Sequence, residues 1–242
     1  MKPARQVIHR SNHRSVGSIS ATWFQDSPIH HESDLEAGVI KVLLMCPLVR
    51  HIQHQPTTLA YIDDDQARSH IPDLGLTLVD DVKAIVEVKP QKFVTDHVSK
   101  FNACAALLQA KQMNYYVCTD EHVTEERIAR ATEILDSAKR AAPNDALQAL
   151  TAWVQRKRKV LVQDALAAGY REALILHAVG RRHLVTDPSL RLAPEDWLTT
   201  QETADEQLSL AAWLGSGPWP GSNQPYQQCN HTTGTPPPSE GT

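Results

Sequence analysis

The sequence predicts an α/β core of order αβββαβ followed by a small, mainly helical domain. Two observations carry the core. Residues 84–89, Ala-Ile-Val-Glu-Val-Lys, are apolar and β-branched except at Glu87 and Lys89, as in a buried strand. Around this run, Val39, Ile40, Val42, Leu43 and Leu44 and then Val94, Val98, Phe101, Ala105 and Leu108 recur at helical spacing. A third observation separates the second domain: Pro143-Asn144-Asp145 interrupts the chain, and the pattern beyond it is helical.

The elements follow in order. Residues 1–29 read as a basic, extended arm, with Lys2, Arg5, Arg10 and Arg14 set against Asp26. A helix covers 33–45. Strands follow at 57–62, 70–79 and 84–89, with Asp80-Asp81 as the turn between the last two. A helix over 93–111, a short strand over 114–118 and a helix over 124–140 complete the core. Glu125 and Glu126 suit the first turn of that last helix, where the backbone dipole favours negative charge. The core domain therefore spans 30–142. Helices at 146–156, 160–168 and 171–179, with Gly169 as a turn, precede a hairpin whose arms are 183–186 and 190–192 around Asp187-Pro188-Ser189. Three helices and a hairpin suggest a winged helix-turn-helix over 143–214. Residues 215–242 are rich in Gly, Pro, Ser, Thr, Asn and Gln and read as a disordered tail. Trp213 and Trp219 near its start can anchor a partner, although a tryptophan so placed more often packs locally.

Pro72-Asp73 followed by Glu87-Val88-Lys89 has the form PD…(D/E)xK, a signature of metal-dependent nucleases. Asp73 and Glu87 are hard oxygen ligands suited to Mg²⁺, with Mn²⁺ as a substitute. Positions i and i+2 of a strand share a face, so Glu87 and Lys89 point into one cleft. There the lysine can orient an attacking water and stabilise charge developing on a phosphate. A glutamate and a lysine in an otherwise apolar strand are costly without such a role. The plain alternative is a surface hairpin with both on its wet side. Glu36 is a third candidate carboxylate, on the first helix. Ser33 and Glu36 also form an S-x-x-E capping box, and spacing alone favours capping.

The net charge is −4, which does not advertise nucleic-acid binding, yet the charge is uneven. Arg156-Lys157-Arg158-Lys159 and Arg181-Arg182 form a basic region in the second domain that can meet DNA phosphates, or else dock a protein partner or form a solvated surface. No stretch is apolar enough to span a membrane. Cys46, Cys104, Cys118 and Cys229 lack paired spacing and read as reduced core residues of a cytoplasmic protein. His30, His31, His51, His54 and His70 show no helical i, i+4 pair with a carboxylate base and read as surface or supporting groups.

From about His30 to Leu135 the chain resembles the TnsA-type transposon endonucleases. The resemblance rests on Glu32-Ser33-Asp34-Leu35-Glu36, on Val49 with Gln55-Pro56, on His70-Ile71-Pro72-Asp73, and on Glu87-Val88-Lys89-Pro90. It implies a restriction-endonuclease-like fold and a nuclease that cuts DNA at the 5′ ends of a transposon. A TnsB-like transposase and a TnsC-like ATPase regulator are the implied partners. It also implies that Glu36, Asp73 and Lys89 are catalytic, which raises Glu36 above a pure cap. Glu87 stands where the family has Gln or Glu. Two other readings remain: a stand-alone restriction, repair or phage nuclease, and a DNA-binding adaptor with a vestigial site.

Overall fold

A computed structural model describes residues 15–63, 66–202 and 209–220. The first elements are β1 (Gly17–Ile19) and β2 (Ile29–His31), which pair antiparallel, then α1 (Asp34–Met45). After α1 come β3 (Val49–His54), β4 (Leu59–Asp63), β5 (Gln66–His70), β6 (Leu74–Leu78) and β7 (Lys83–Val88). The helix α2 (Val98–Gln109), the strand β8 (Asn114–Cys118) and the helix α3 (Glu125–Lys139) close the first half.

Four of these strands make the central sheet, in the order β3-β6-β7-β8. The first two pairings are antiparallel and β7 with β8 is parallel. Counting only these strands, the order α1-β3-β6-β7-α2-β8-α3 is the expected αβββαβ core with its closing helix. The membership differs from expectation. The strand expected at 57–62 is β4, which pairs with β5 in a separate hairpin inserted between β3 and β6. The true first sheet strand is β3, whose Arg-His-Ile-Gln-His run hid it from a hydropathy reading. The strand expected over 70–79 divides into the end of β5 and all of β6.

Alternation along β7 sorts the two faces of the sheet. Ala84, Val86 and Val88 join the large core with α1 and α3. Ile85 faces the other way and packs with Phe101, Cys104, Ala105 and Leu108 of α2 and with Tyr115 and Val117 of β8. Glu87 shares the parity of Ile85, so the buried glutamate faces α2. Cys46, Cys104 and Cys118 are buried and unpaired to one another, and Cys229 lies outside the described residues.

The second half contains α4 (Asn144–Lys157), β9 (Lys159–Leu161), α5 (Val162–Ala167), α6 (Glu172–Gly180), β10 (Val185–Thr186) and β11 (Trp197–Thr199). Its antiparallel sheet runs β10-β11-β9. The hairpin differs from expectation. Its second arm is β11, and residues 190–192 lie in the intervening loop, where Leu190 and Leu192 adopt positive φ. A third strand, β9, joins it.

The third helix of this half is the least polar. Ile175, Leu176, Ala178 and Val179 are buried, and α6 packs along α3. Gly180 makes the approach possible: a Cβ there would lie 2.7 Å from Ala138 Cβ and 2.8 Å from the Ile134 carbonyl. The two halves therefore share one continuous core.

This packing corrects the reading of Arg181 and Arg182. Arg182 donates to the Val49 carbonyl at 2.7 Å and the Pro47 carbonyl at 2.8 Å. Arg181 Nε donates to the Ala138 carbonyl at 2.8 Å. Both guanidiniums also lie over aromatic rings, Arg181 on Trp23 and Arg182 on Phe24. They join α6 to the first half and are not presented to a phosphate. The same contacts correct the extended arm. Lys2, Arg5, Arg10 and Arg14 lie outside the described residues, but from residue 15 the segment is folded, and Trp23 donates to the Gly180 carbonyl at 3.0 Å.

The C-terminal segment also returns to the first half. Trp213 of α7 (Leu210–Leu214) is fully buried in the large core. Gly215, at φ +71°, ends the helix in the left-handed conformation that glycine tolerates. Ser216 Oγ then donates to the Val117 carbonyl, and Trp219 N–H to the Tyr115 carbonyl at 2.7 Å. This strap runs along the outer edge of β8, so residues 215–219, expected to belong to the tail, are packed on the first half, and residues 221–242 lie outside the described residues.

Arg182→Ala should cost roughly 2–4 kcal/mol of stability, because it strands two buried carbonyls. Urea denaturation checks this. DNA affinity measured on the folded variant at equal salt should stay unchanged.

Candidate active site

Asp73 lies immediately before β6, and Glu87 lies in β7. Leu74 is paired with Val86, and this antiparallel register brings Asp73 level with Glu87. The Val88 N–H donates to Asp73 Oδ2 at 2.7 Å and fixes that side chain against β7. Lys89 follows the strand, its own N–H bound to the Cys118 carbonyl at 3.0 Å. The sequence thus brings Asp73, Glu87 and Lys89 together at one end of the two middle strands.

Glu87 is 1% exposed. A carboxylate so buried needs partners, and it has two cationic or hydrogen-bonding ones. His70 Nε2 lies 2.6 Å from Oε2, and Lys100 Nζ donates to Oε1 at 2.8 Å. Burial alone would raise the Glu87 pKa, but the His70 hydrogen bond and charge, together with Lys100, outweigh it and hold the group below the usual range. The β4–β5 hairpin therefore has a definite task, to carry His70 to the sheet. Lys100 comes from the first turn of α2.

Asp73 behaves oppositely. Burial first, then the nearby charges of Glu87 and Glu36, push its pKa well above the usual aspartate range. The Val88 hydrogen bond and the charge of Lys89 offset this only in part. Glu36 is also raised, chiefly by burial. It occupies the start of α1, where Ser33 Oγ accepts from its N–H at 3.1 Å. Its carboxylate accepts from the Glu32 N–H at 2.8 Å and from Ser33 Oγ at 3.1 Å. Glu36 thus has a capping role, reaching one residue further back than an ordinary capping box, while its charge is felt at Asp73. His54 Nε2 stands 3.8 Å from Glu36, buried and without a hydrogen-bond partner.

Chemically, a raised and a lowered carboxylate lie side by side beside a lysine. Two buried carboxylates that repel each other form a donor pair suited to a hard divalent cation. Among the described residues, no three His, Cys, Asp or Glu side chains are grouped tightly enough to hold a metal together. Glu36 feels the pair electrostatically without joining it at that range. Sequence reasoning missed Lys100 as a site residue. The available signal was its place on the helix that packs over Glu87, which requires the three-dimensional pairing of α2 with β7. His70, expected to be a surface or supporting group, supports Glu87 directly.

Of the basic residues expected to bind DNA or a partner, Arg156, Lys157, Arg158 and Lys159 are exposed at the end of α4 and the start of β9. They lie in the second half of the chain, whereas Arg181 and Arg182 are turned toward carbonyls and aromatic rings of the first half.

A mixed sheet flanked by helices, with Asp73, Glu87 and Lys89 at one end of adjacent middle strands, is consistent with a nuclease-type α/β domain. Residues 46–120 match the family model described as TnsA-like endonuclease N terminal, which supports a TnsA-type endonuclease assignment for this segment. The matched segment contains His70, Asp73, Glu87, Lys89 and Lys100; Glu36 and the second half lie outside it. No curated protein matches the chain.

A raised carboxyl binds its proton more tightly in the folded than in the unfolded chain, so its ionisation costs stability as pH rises above the unfolded value. Asp73→Asn keeps a carbonyl oxygen for Val88 and removes that cost. In EDTA the variant should melt a few degrees above the parent at pH 8. The gap should close as pH falls toward 4, as differential scanning calorimetry across pH will show.

Proposed function

We propose that this protein is a divalent-metal-dependent DNA endonuclease that cuts the 5′ ends of a transposon. It would work together with a TnsB-like transposase and a TnsC-like ATPase regulator. The observation that carries this reading is the Asp73–Glu87 pair beside Lys89 within the segment that matches the TnsA-type model.

In this reading Asp73 and Glu87 hold Mg²⁺ or Mn²⁺, with Glu36 adding negative charge behind them. When bound, the ion supplies Lewis-acid stabilisation and lowers the pKa of an attacking water. Lys89 orients that water and stabilises charge on the scissile phosphate. The intact Asp73, Glu87 and Lys89 set disfavours an adaptor with a vestigial site.

The order α4-β9-α5-α6-β10-β11, with β11 between its two partners, supports a winged-helix reading of the second half. The third helix of such a module ordinarily reads DNA. Here α6 is packed on α3, so the exposed run Arg156 to Lys159 is the surface we assign to DNA or partner contact.

Transposon-end DNA incubated with the partner proteins and Mg²⁺ should be cut. Lys89→Ala or Asp73→Ala should reduce cutting by about 10²-fold or more. Parent-like cutting by either variant would overturn the site. In the same assay, Arg156→Glu with Lys157→Glu should weaken recruitment, with a salt dependence altered from the parent.

A further inference from the structure

Glu87 presents a conflict between two tasks. It is nearly inaccessible, yet both of its oxygens are engaged, Oε2 with His70 at 2.6 Å and Oε1 with Lys100 at 2.8 Å. Each oxygen keeps a second lone pair, but a divalent cation drawn to this carboxylate meets the Lys100 ammonium already held 2.8 Å from Oε1, and the two positive charges repel, which favours displacement of the more mobile group. His70 is held on a hairpin strand. Lys100 is a long, flexible side chain in the first turn of α2, with 17% of its side chain exposed, and it can swing out. Its ammonium already rests 4.8 Å from the Phe101 ring, which offers an alternative cation–π contact when Glu87 is taken.

We propose that Lys100 is a built-in counter-ion for Glu87, which it neutralises when no metal is bound and surrenders when a divalent cation enters. This rests on Asp73 and Glu87 being the metal ligands. Two consequences follow. Metal binding is an exchange of one positive charge for another at Glu87, so the lysine weakens apparent metal affinity. The same lysine also protects the fold, because a buried glutamate stripped of its partner is strongly destabilising. Lys89 cannot take this part, since the ion pair on Glu87 is made from α2 and not from β7.

The test uses the full chain and Mn²⁺, with parent, Lys100→Met, Lys100→Arg and Asp73→Ala. Calorimetric titration gives affinity, and thermal melting in EDTA and in Mn²⁺ gives stability. The parent should bind Mn²⁺, and Asp73→Ala should lose that binding. Lys100→Met should melt below the parent in EDTA, recover most of the loss in saturating Mn²⁺, and bind Mn²⁺ about tenfold more tightly, a coupling of about 1.4 kcal/mol. Lys100→Arg should melt near the parent in EDTA. Equal Mn²⁺ affinity in parent and Lys100→Met, with Asp73→Ala still deficient, would overturn the counter-ion role and leave the metal site standing. If Lys100→Met does not fold in EDTA, refolding it in Mn²⁺ decides the matter: recovery of the native melt supports the exchange, and failure in both conditions overturns it. Equal binding by parent and Asp73→Ala, or none by either, would overturn the metal site and the exchange together.

Discussion

The buried carboxylate of Glu87 governs the layout of the first half. It sits in a central strand with helices on both sides, and such a charge is tolerated only when its oxygens are satisfied. The hairpin β4–β5 takes no part in the main sheet, yet its last residue, His70, reaches one oxygen. The helix α2 closes the same face and reaches the other through Lys100. Elements with no obvious common purpose in the topology are thus joined at a single side chain. Asp73 gains no comparable partner. It receives one backbone N–H and the charge of Lys89, which only partly offset burial and the repulsion of Glu87 and Glu36, so its ionised form is the strained member of the pair.

The sheet strands that carry the site were legible because their signals are local. Residues 84–89 announce a buried strand through branched apolar side chains, and the two exceptions, Glu87 and Lys89, are the candidate site residues. The helices at 33–45 and 124–140 were legible for the same reason, with Ser33 and Thr124 accepting from the backbone at their starts. What failed to show was long-range. β3 looks polar along the chain, because only Val49 and Ile52 are buried while Arg50 and His51 reach solvent. Whether β4 joins the sheet or forms its own hairpin depends on pairing partners, which no short window contains. Lys100 carried no local signal, because its significance comes from the helix lying across β7.

Arg181 and Arg182 illustrate a different limit. Adjacent arginines after a helix read as a phosphate-binding surface because composition records charge and not direction. Here the chain turns back on itself, Arg182 taking positive φ, and both guanidiniums bind carbonyls and aromatic rings of the first half. The cations serve cohesion between halves. Arg127 works alike from α3, donating to the carbonyls of His122, Pro188 and Trp213 and so tying three segments together.

The strap over β8 has a practical meaning for anyone who shortens this chain. The change in composition near residue 215 invites a cut there, and such a cut would leave α7 in place. It would also free the Val117 and Tyr115 carbonyls and uncover the ring of Phe101, against which Trp219 packs edge to face with ring centroids 5.2 Å apart. An open strand edge beside bare aromatic surface is a template for sticking to another copy. A shortened chain that keeps this edge covered therefore ends after Trp219, several residues beyond the point where the sequence stops looking like a folded protein.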